Sequence, residues 1–177
     1  MKTISKLLGA IVLTASVGGT AFAQASDSES TTSSVRIIQP IALTKVNNLA
    51  FGTVVRPASG SSTITISTSS DTPTVDSGTA VLISGGTRTR ASYTVTGEGA
   101  QTVAITVPAS VVMSDGGNDI TVTLTPEATT DTLSGTLGTT GGFSGDGTLY
   151  VGGSFTISST TVSGNYSGTF STTVAYN

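Results

Sequence analysis

From Ser62 onward the chain repeatedly places apolar side chains at every second position. Ile64 and Ile66 form one such row, Ala91, Tyr93 and Val95 a second, and Val103, Ile105 and Val107 a third. Ile120, Val122 and Leu124 follow, then Leu149, Val151, Phe155 and Ile157. A period of two puts alternate residues on opposite faces of an extended chain, so each row predicts a β-strand with one dry face. The most regular row lies in Gly164–Asn177. Tyr166, Gly168, Phe170, Thr172, Val174 and Tyr176 share one parity, while Ser167, Thr169, Ser171, Thr173 and Ala175 share the other. Burying the four large side chains would contribute roughly 6–12 kcal/mol at about 1.5–3 each. Whole domains are stable by only about 5–15 kcal/mol. The segment is therefore expected to be a closing strand on which folding depends.

Other stretches carry the same pattern less cleanly. Val35, Ile37, Ile41 and Leu43 share a parity, with Pro40 as an edge or break. Asn47-Asn48 predicts a turn ahead of Leu49-Ala50-Phe51-Gly52 and Thr53-Val54-Val55. Ala80–Ile83 and Val111–Met113 are short apolar runs, and Leu133, Leu137 and Phe143 are the expected anchors of an irregular stretch over 127–147. No window after the N-terminal leader sustains helical spacing with helix-favouring residues. Eight to ten short strands, separated by turns, predict an all-β fold: one antiparallel sandwich with a single core.

The N-terminus reads differently. Lys2 and Lys6 precede an apolar stretch over Leu7–Val17, and Ala21-Phe22-Ala23 has the small-x-small form of a cleavage site. Residues 1–23 are expected to be a secretory signal peptide. The stretch is too short, and too broken by Ser16, Gly18, Gly19 and Thr20, for a membrane anchor. Residues 24–34 are polar and aperiodic, an expected flexible leader; residues 35–177 are expected to form one β-sandwich domain.

Charge narrows the partners. With Lys2 and Lys6 removed, five basic residues face ten acidic ones, and no basic cluster remains. Nucleic acid and anionic membrane surfaces are disfavoured, because both need clustered cations. Cysteine is absent, so packing and sheet hydrogen bonds must hold the fold. Ser and Thr supply about a third of the chain, a share compatible with disorder. Their regular alternation with Val and Ile instead assigns Thr to the solvent faces of strands.

Candidate chemistry is sparse. Histidine and cysteine are both zero, which removes the commonest general base, the usual zinc ligands and any thiol nucleophile. Asp71, Asp76, Glu98, Asp115, Asp119, Asp131 and Asp146 all stand beside turn-forming residues, where local backbone hydrogen bonding accounts for them. Asp115-Gly116-Gly117-Asn118-Asp119 lacks the alternating acids of a calcium loop and reads as a hairpin turn. The aromatic row on the last strand suits a core face better than a sugar platform. No catalytic residue, metal ligand or cofactor is expected.

Several segments together resemble a known family. They are Pro-Ile-Ala-Leu-Thr-Lys at 40–45, Leu-Ala-Phe-Gly-Thr-Val at 49–54, Tyr93-Thr-Val-Thr-Gly97, and the run Gly164–Asn177. With the leader, they resemble a bacterial secreted family catalogued as domain-of-unknown-function family 4402. That family is in turn similar to chaperone–usher pilins and spore-coat-U-like subunits. The resemblance implies an immunoglobulin-like fold and export to a Gram-negative periplasm or cell surface. It also marks Gly164, fourteenth from the end, and the penultimate Tyr176 as parts of a strand read by a periplasmic chaperone. The assembly strand is then Gly164, Tyr166, Phe170, Val174 and Tyr176. One departure is plain: residues 24–34 carry no apolar residue beyond Ala25, so they lack the donor pattern by which pilins polymerise. The expected function is a non-enzymatic structural subunit of a fimbria-like or other surface assembly, joined through strand edges to identical or related subunits. A monomeric surface binding module, with glycans as the candidate ligand class, is the first alternative. A small outer-membrane barrel is the second, disfavoured by the absence of Trp and by only four Tyr.

Overall fold

The side chains of β-branched and aromatic residues pack well on a pleated surface, and the rows identified above do form strands. The structure is a computed structural model that describes residues 26–177, so the leader assigned to 1–23 lies outside the described residues. Residues 26–41 are in no strand. Thirteen strands follow: β1 (Ala42–Asn47), β2 (Thr53–Val55), β3 (Ser61–Ile66), β4 (Thr74–Ser77), β5 (Val81–Ile83), β6 (Ala91–Glu98) and β7 (Thr102–Thr106). The second half adds β8 (Ser110–Ser114), β9 (Asp119–Pro126), β10 (Thr130–Thr132), β11 (Thr140–Gly142), β12 (Thr148–Ser158) and β13 (Thr173–Tyr176). All pairs are antiparallel, and no helix occurs among the described residues.

The architecture turns on β12. Its first residues pair with β6, its last with β3, and its middle with β9 on the opposite edge. Around it an eight-stranded sheet curls into a half-barrel, reaching β1 and β11 through β6, β4 through β3, and β8 through β9. A three-stranded sheet, β10–β7–β13, and a two-stranded ribbon, β2–β5, complete the fold. Gly152 shows why β12 sits centrally. A Cβ there would strike the backbone carbonyl of Ile66, so only glycine lets β12 lie this close to the end of β3.

The core gathers the predicted rows. Ile64, Val95, Val103, Val122, Leu149 and Val151 are all fully buried. Phe51 and Phe155 meet edge to face, with ring centroids 4.8 Å apart and planes at 83°, a favoured arrangement for aromatic quadrupoles.

Several expectations need correction: thirteen strands form where eight to ten are expected, and β10 and β11 fall in the stretch read as irregular. Val35 and Ile37 do not join the first strand; they are 84% and 87% exposed, and pairing begins at Ala42 beyond Pro40. Proline has no N–H to give a ladder, so the strand starts after it. Leu137 is exposed while Leu133 and Phe143 are buried as anchors. In the Ala80–Ile83 run, Ala80 is buried, but Val81 and Ile83 face outward on the β2–β5 ribbon.

Candidate assembly groove and C-terminal strand

The row Tyr166, Phe170, Val174 and Tyr176 keeps its predicted parity: every odd position from 163 to 177 is exposed. Val174 is buried, and Tyr166, Phe170 and Tyr176 are half-buried against the core. The ladder is shorter than the pattern predicts. Only Thr173–Tyr176 forms a strand, antiparallel to β7. Upstream, a single bridge joins Ser167 to Ser114 at the end of β8. Among the described residues, backbone–backbone bonds between Val162 and Thr172 are confined to Ser167. Gly164 lies against the Asp115 carboxylate, and Gly168 passes so close to the Val112 carbonyl that no Cβ fits between them. The reason for the interruption is the offset between the two pairings. Thr173 faces Thr106 and Ser167 faces Ser114, so the β7–β8 side contributes two more residues than the C-terminal segment does. The segment spans that excess without a continuous ladder, and the Thr172 hydroxyl is buried there with no partner.

Beside this segment runs a groove of about 1140 Å³. One wall is the chain from Lys45 to Arg56, the other residues 161–170, and Tyr93, Ile120, Phe155 and Ile157 form part of its floor. These floor residues are core side chains, so the groove is a gap in the packing of the fold rather than a surface dent. Lys45 and Arg56 are its charged residues, and no carboxylate lines it. Arg56 also spans the walls: its Nη1 donates to the Thr161 carbonyl at 2.6 Å.

Beyond Phe170 the segment ends in a hydrogen-bonded knot. The Tyr176 hydroxyl donates to the Gln39 carbonyl at 2.8 Å and accepts from the Glu98 N–H at 2.6 Å. Glu98 Oε2 takes the Gln39 N–H at 3.2 Å, Oε1 takes the Gly138 N–H, and Thr140 Oγ1 donates to Gln39 Oε1 at 2.8 Å. Gly97 makes room for it, since a Cβ there would lie 2.5 Å from the Tyr176 oxygen.

Of the acids read as turn residues, Asp76, Asp119 and Asp131 lie in β4, β9 and β10, and the furthest departure is Glu98. It is the last residue of β6 and only 3% exposed, not a turn acid. No local signal distinguishes it, because its partners at 39 and 138 are remote in the chain. The N–H of Gly138, then that of Gln39, hold its carboxyl below the ordinary value of 4.5. A depressed folded pKa contributes stability above the unfolded value, lost as pH falls through the folded one. Asp76, Asp115 and Asp146 are lowered too and act in the same sense. Burial pushes Glu127 up, so it acts in the opposite sense. The melting temperature is expected to fall as pH drops below about 5, and Glu98→Gln should flatten that fall. An unchanged slope in the variant, read by calorimetry, would remove Glu98 from the account.

Asp115 Oδ1 accepts from the N–H groups of Gly117 and Asn118, closing its own turn. Residues 41–176 match the family described as Domain of unknown function (DUF4402). The chain belongs to the DUF4402 family. The matched span covers both walls of the groove, Glu98 and the whole paired part of the C-terminal strand, and begins two residues after Gln39. No curated protein and no solved structure matches this DUF4402 chain.

Proposed function

We propose that this protein is an exported, non-enzymatic structural subunit with a pilin-like, immunoglobulin-like β-sandwich, built into a fimbria-like or other cell-surface assembly through its strand edges. What supports the reading is the groove: core side chains form its floor, and one wall is a segment whose backbone is almost unpaired. Such a gap suits strand addition, in which main-chain bonds supply affinity and alternate side chains fill the pockets.

The occupant fitted by these walls is an extended segment of a related subunit, with alternating large apolar residues and acidic flanks to meet Lys45 and Arg56. The stretch 26–34 of this chain has the acids, Asp27 and Glu29, and no base. Its apolar content is thin. Val35 and Ile37 together would yield about 3–6 kcal/mol on burial, against an association cost of about 4–15 kcal/mol. A second copy is therefore the weaker occupant, and a more apolar partner the stronger.

Two synthetic peptides test this. Residues 26–41 should bind the full chain weakly, and the same peptide carrying Thr31→Val and Ser33→Ile should bind at least tenfold tighter, by fluorescence anisotropy. Equal binding by a scrambled control would sink the reading.

A monomeric binding module has one observation in its favour. A cleft of about 550 Å³ lies among Glu127, Phe143, Asp146 and Tyr150. Arg90 covers one face of the Tyr150 ring at 3.5 Å, which leaves less aromatic surface for a sugar, and the assembly reading is preferred.

A further inference from the structure

We infer that the knot of Gln39, Glu98 and Tyr176 is a mechanical clamp, tying the polypeptide that enters at Gln39 to the C-terminal strand that continues the groove wall. The inference rests on the assembly reading for the source of the tension, but the clamp itself is a property of the single chain. In an assembly joined through the groove, a pull on the occupant reaches residues 161–172 first. From there it passes through β13, which pairs with β7 and buries Val174, to Tyr176, whose hydroxyl is bonded directly to the Gln39 carbonyl.

The strands alone would resist poorly. β1 pairs with β6 from Ala42, and β13 ends its pairing with β7 at Tyr176 and Val103. A pull applied ahead of Ala42 and beyond Tyr176 meets each ladder at its last rung, so the bonds would open one at a time. Under end-to-end force the knot precedes the β1 ladder, and at the other end only the Asn177 N–H bond to the Thr102 carbonyl lies outside Tyr176. Gln39 is held by its N–H on Glu98, by its carbonyl on Tyr176 and by its side-chain oxygen on Thr140. These bonds must yield together before Ala42 feels the load. Glu98 is almost fully buried, and bonds shielded from water exchange less readily with it than exposed ones. Nothing in the core contacts of β3, β9 or β12 requires such a tie, which joins positions 137 residues apart.

Single-molecule force spectroscopy on the full chain reads this out. Handles at its two ends load the knot. Handles on Ser84→Cys and Gly117→Cys, two exposed sites in a chain without native cysteine, load the domain along another line. Tyr176→Phe removes both hydrogen bonds of the hydroxyl, so it should speed rupture under end-to-end force at least about tenfold and leave the internal pull within about twofold. Thr140→Val, which spares Tyr176, should give a smaller effect of the same selectivity and carries the test if Tyr176→Phe does not fold. An equal loss along both lines, or no loss end to end, overturns the clamp. Either result leaves the groove reading intact, since peptide binding tests that separately.

Discussion

A chain that stops at Ser163 is expected not to fold. The removed segment holds one buried side chain, Val174, and three half-buried ones, Tyr166, Phe170 and Tyr176. At about 1.5–3 kcal/mol for a full burial and half that for the others, its apolar contribution is about 4–7 kcal/mol. The β7 pairing and the Tyr176 bonds to Gln39 and Glu98 go with it. Against a stability of about 5–15 kcal/mol, little or nothing remains. Circular dichroism and thermal melts should show no cooperative transition. A truncated chain that melts cooperatively near the parent temperature would mean the C-terminal segment is an appendage, and the groove would lose one of its walls as a structural element.

Phe155→Ala should have the next largest effect. Phe155 lies on β12, pairs with both β3 and β9, packs edge to face on Phe51 and forms part of the groove floor. Truncating such a ring costs about 3–5 kcal/mol, from lost transfer energy and from a cavity that rigid strands on both sides cannot close. For a domain of this size the loss corresponds to a fall in Tm of about 6–20 °C. Val112→Ala, at a position 52% exposed on β8, should stay within about 0.5 kcal/mol. If the two variants melted together, the centre of the fold would have to lie elsewhere than at β12. Because Phe155 also lines the groove, the variant should bind the apolar peptide less tightly even at temperatures where it remains folded.

These two expectations draw on different kinds of information. The importance of Phe155 was legible from the row Leu149, Val151, Phe155 and Ile157. Its position at the junction of three strands was not, because a row gives a face and no neighbours. The terminal segment shows the reverse. Its face was legible to the residue, yet its pairing was overestimated, since the offset between β7 and β8 depends on a loop in a different part of the chain. Val35 and Ile37 carry the right alternation and pair with nothing among the described residues. Alternation states that a strand is possible, and burial requires a partner.

Glu98 marks the same boundary in its chemistry. In sequence it is an acid between two glycines, and the local reading made it a turn residue. In the fold it receives two backbone N–H groups, from positions 59 and 40 residues away, and anchors the knot that fastens Tyr176. The groove, too, has no sequence signature. Its walls lie more than a hundred residues apart, and its floor is made of residues any β-core would contain.

By itself the sequence determined the main apolar rows, the faces they present and the absence of helix among the described residues, because alternation is a local property of an extended chain. The tertiary structure alone decided which rows became neighbours, where the last strand's ladder lapses and which acid is enclosed. Those outcomes depend on contacts between remote segments, which no local pattern encodes.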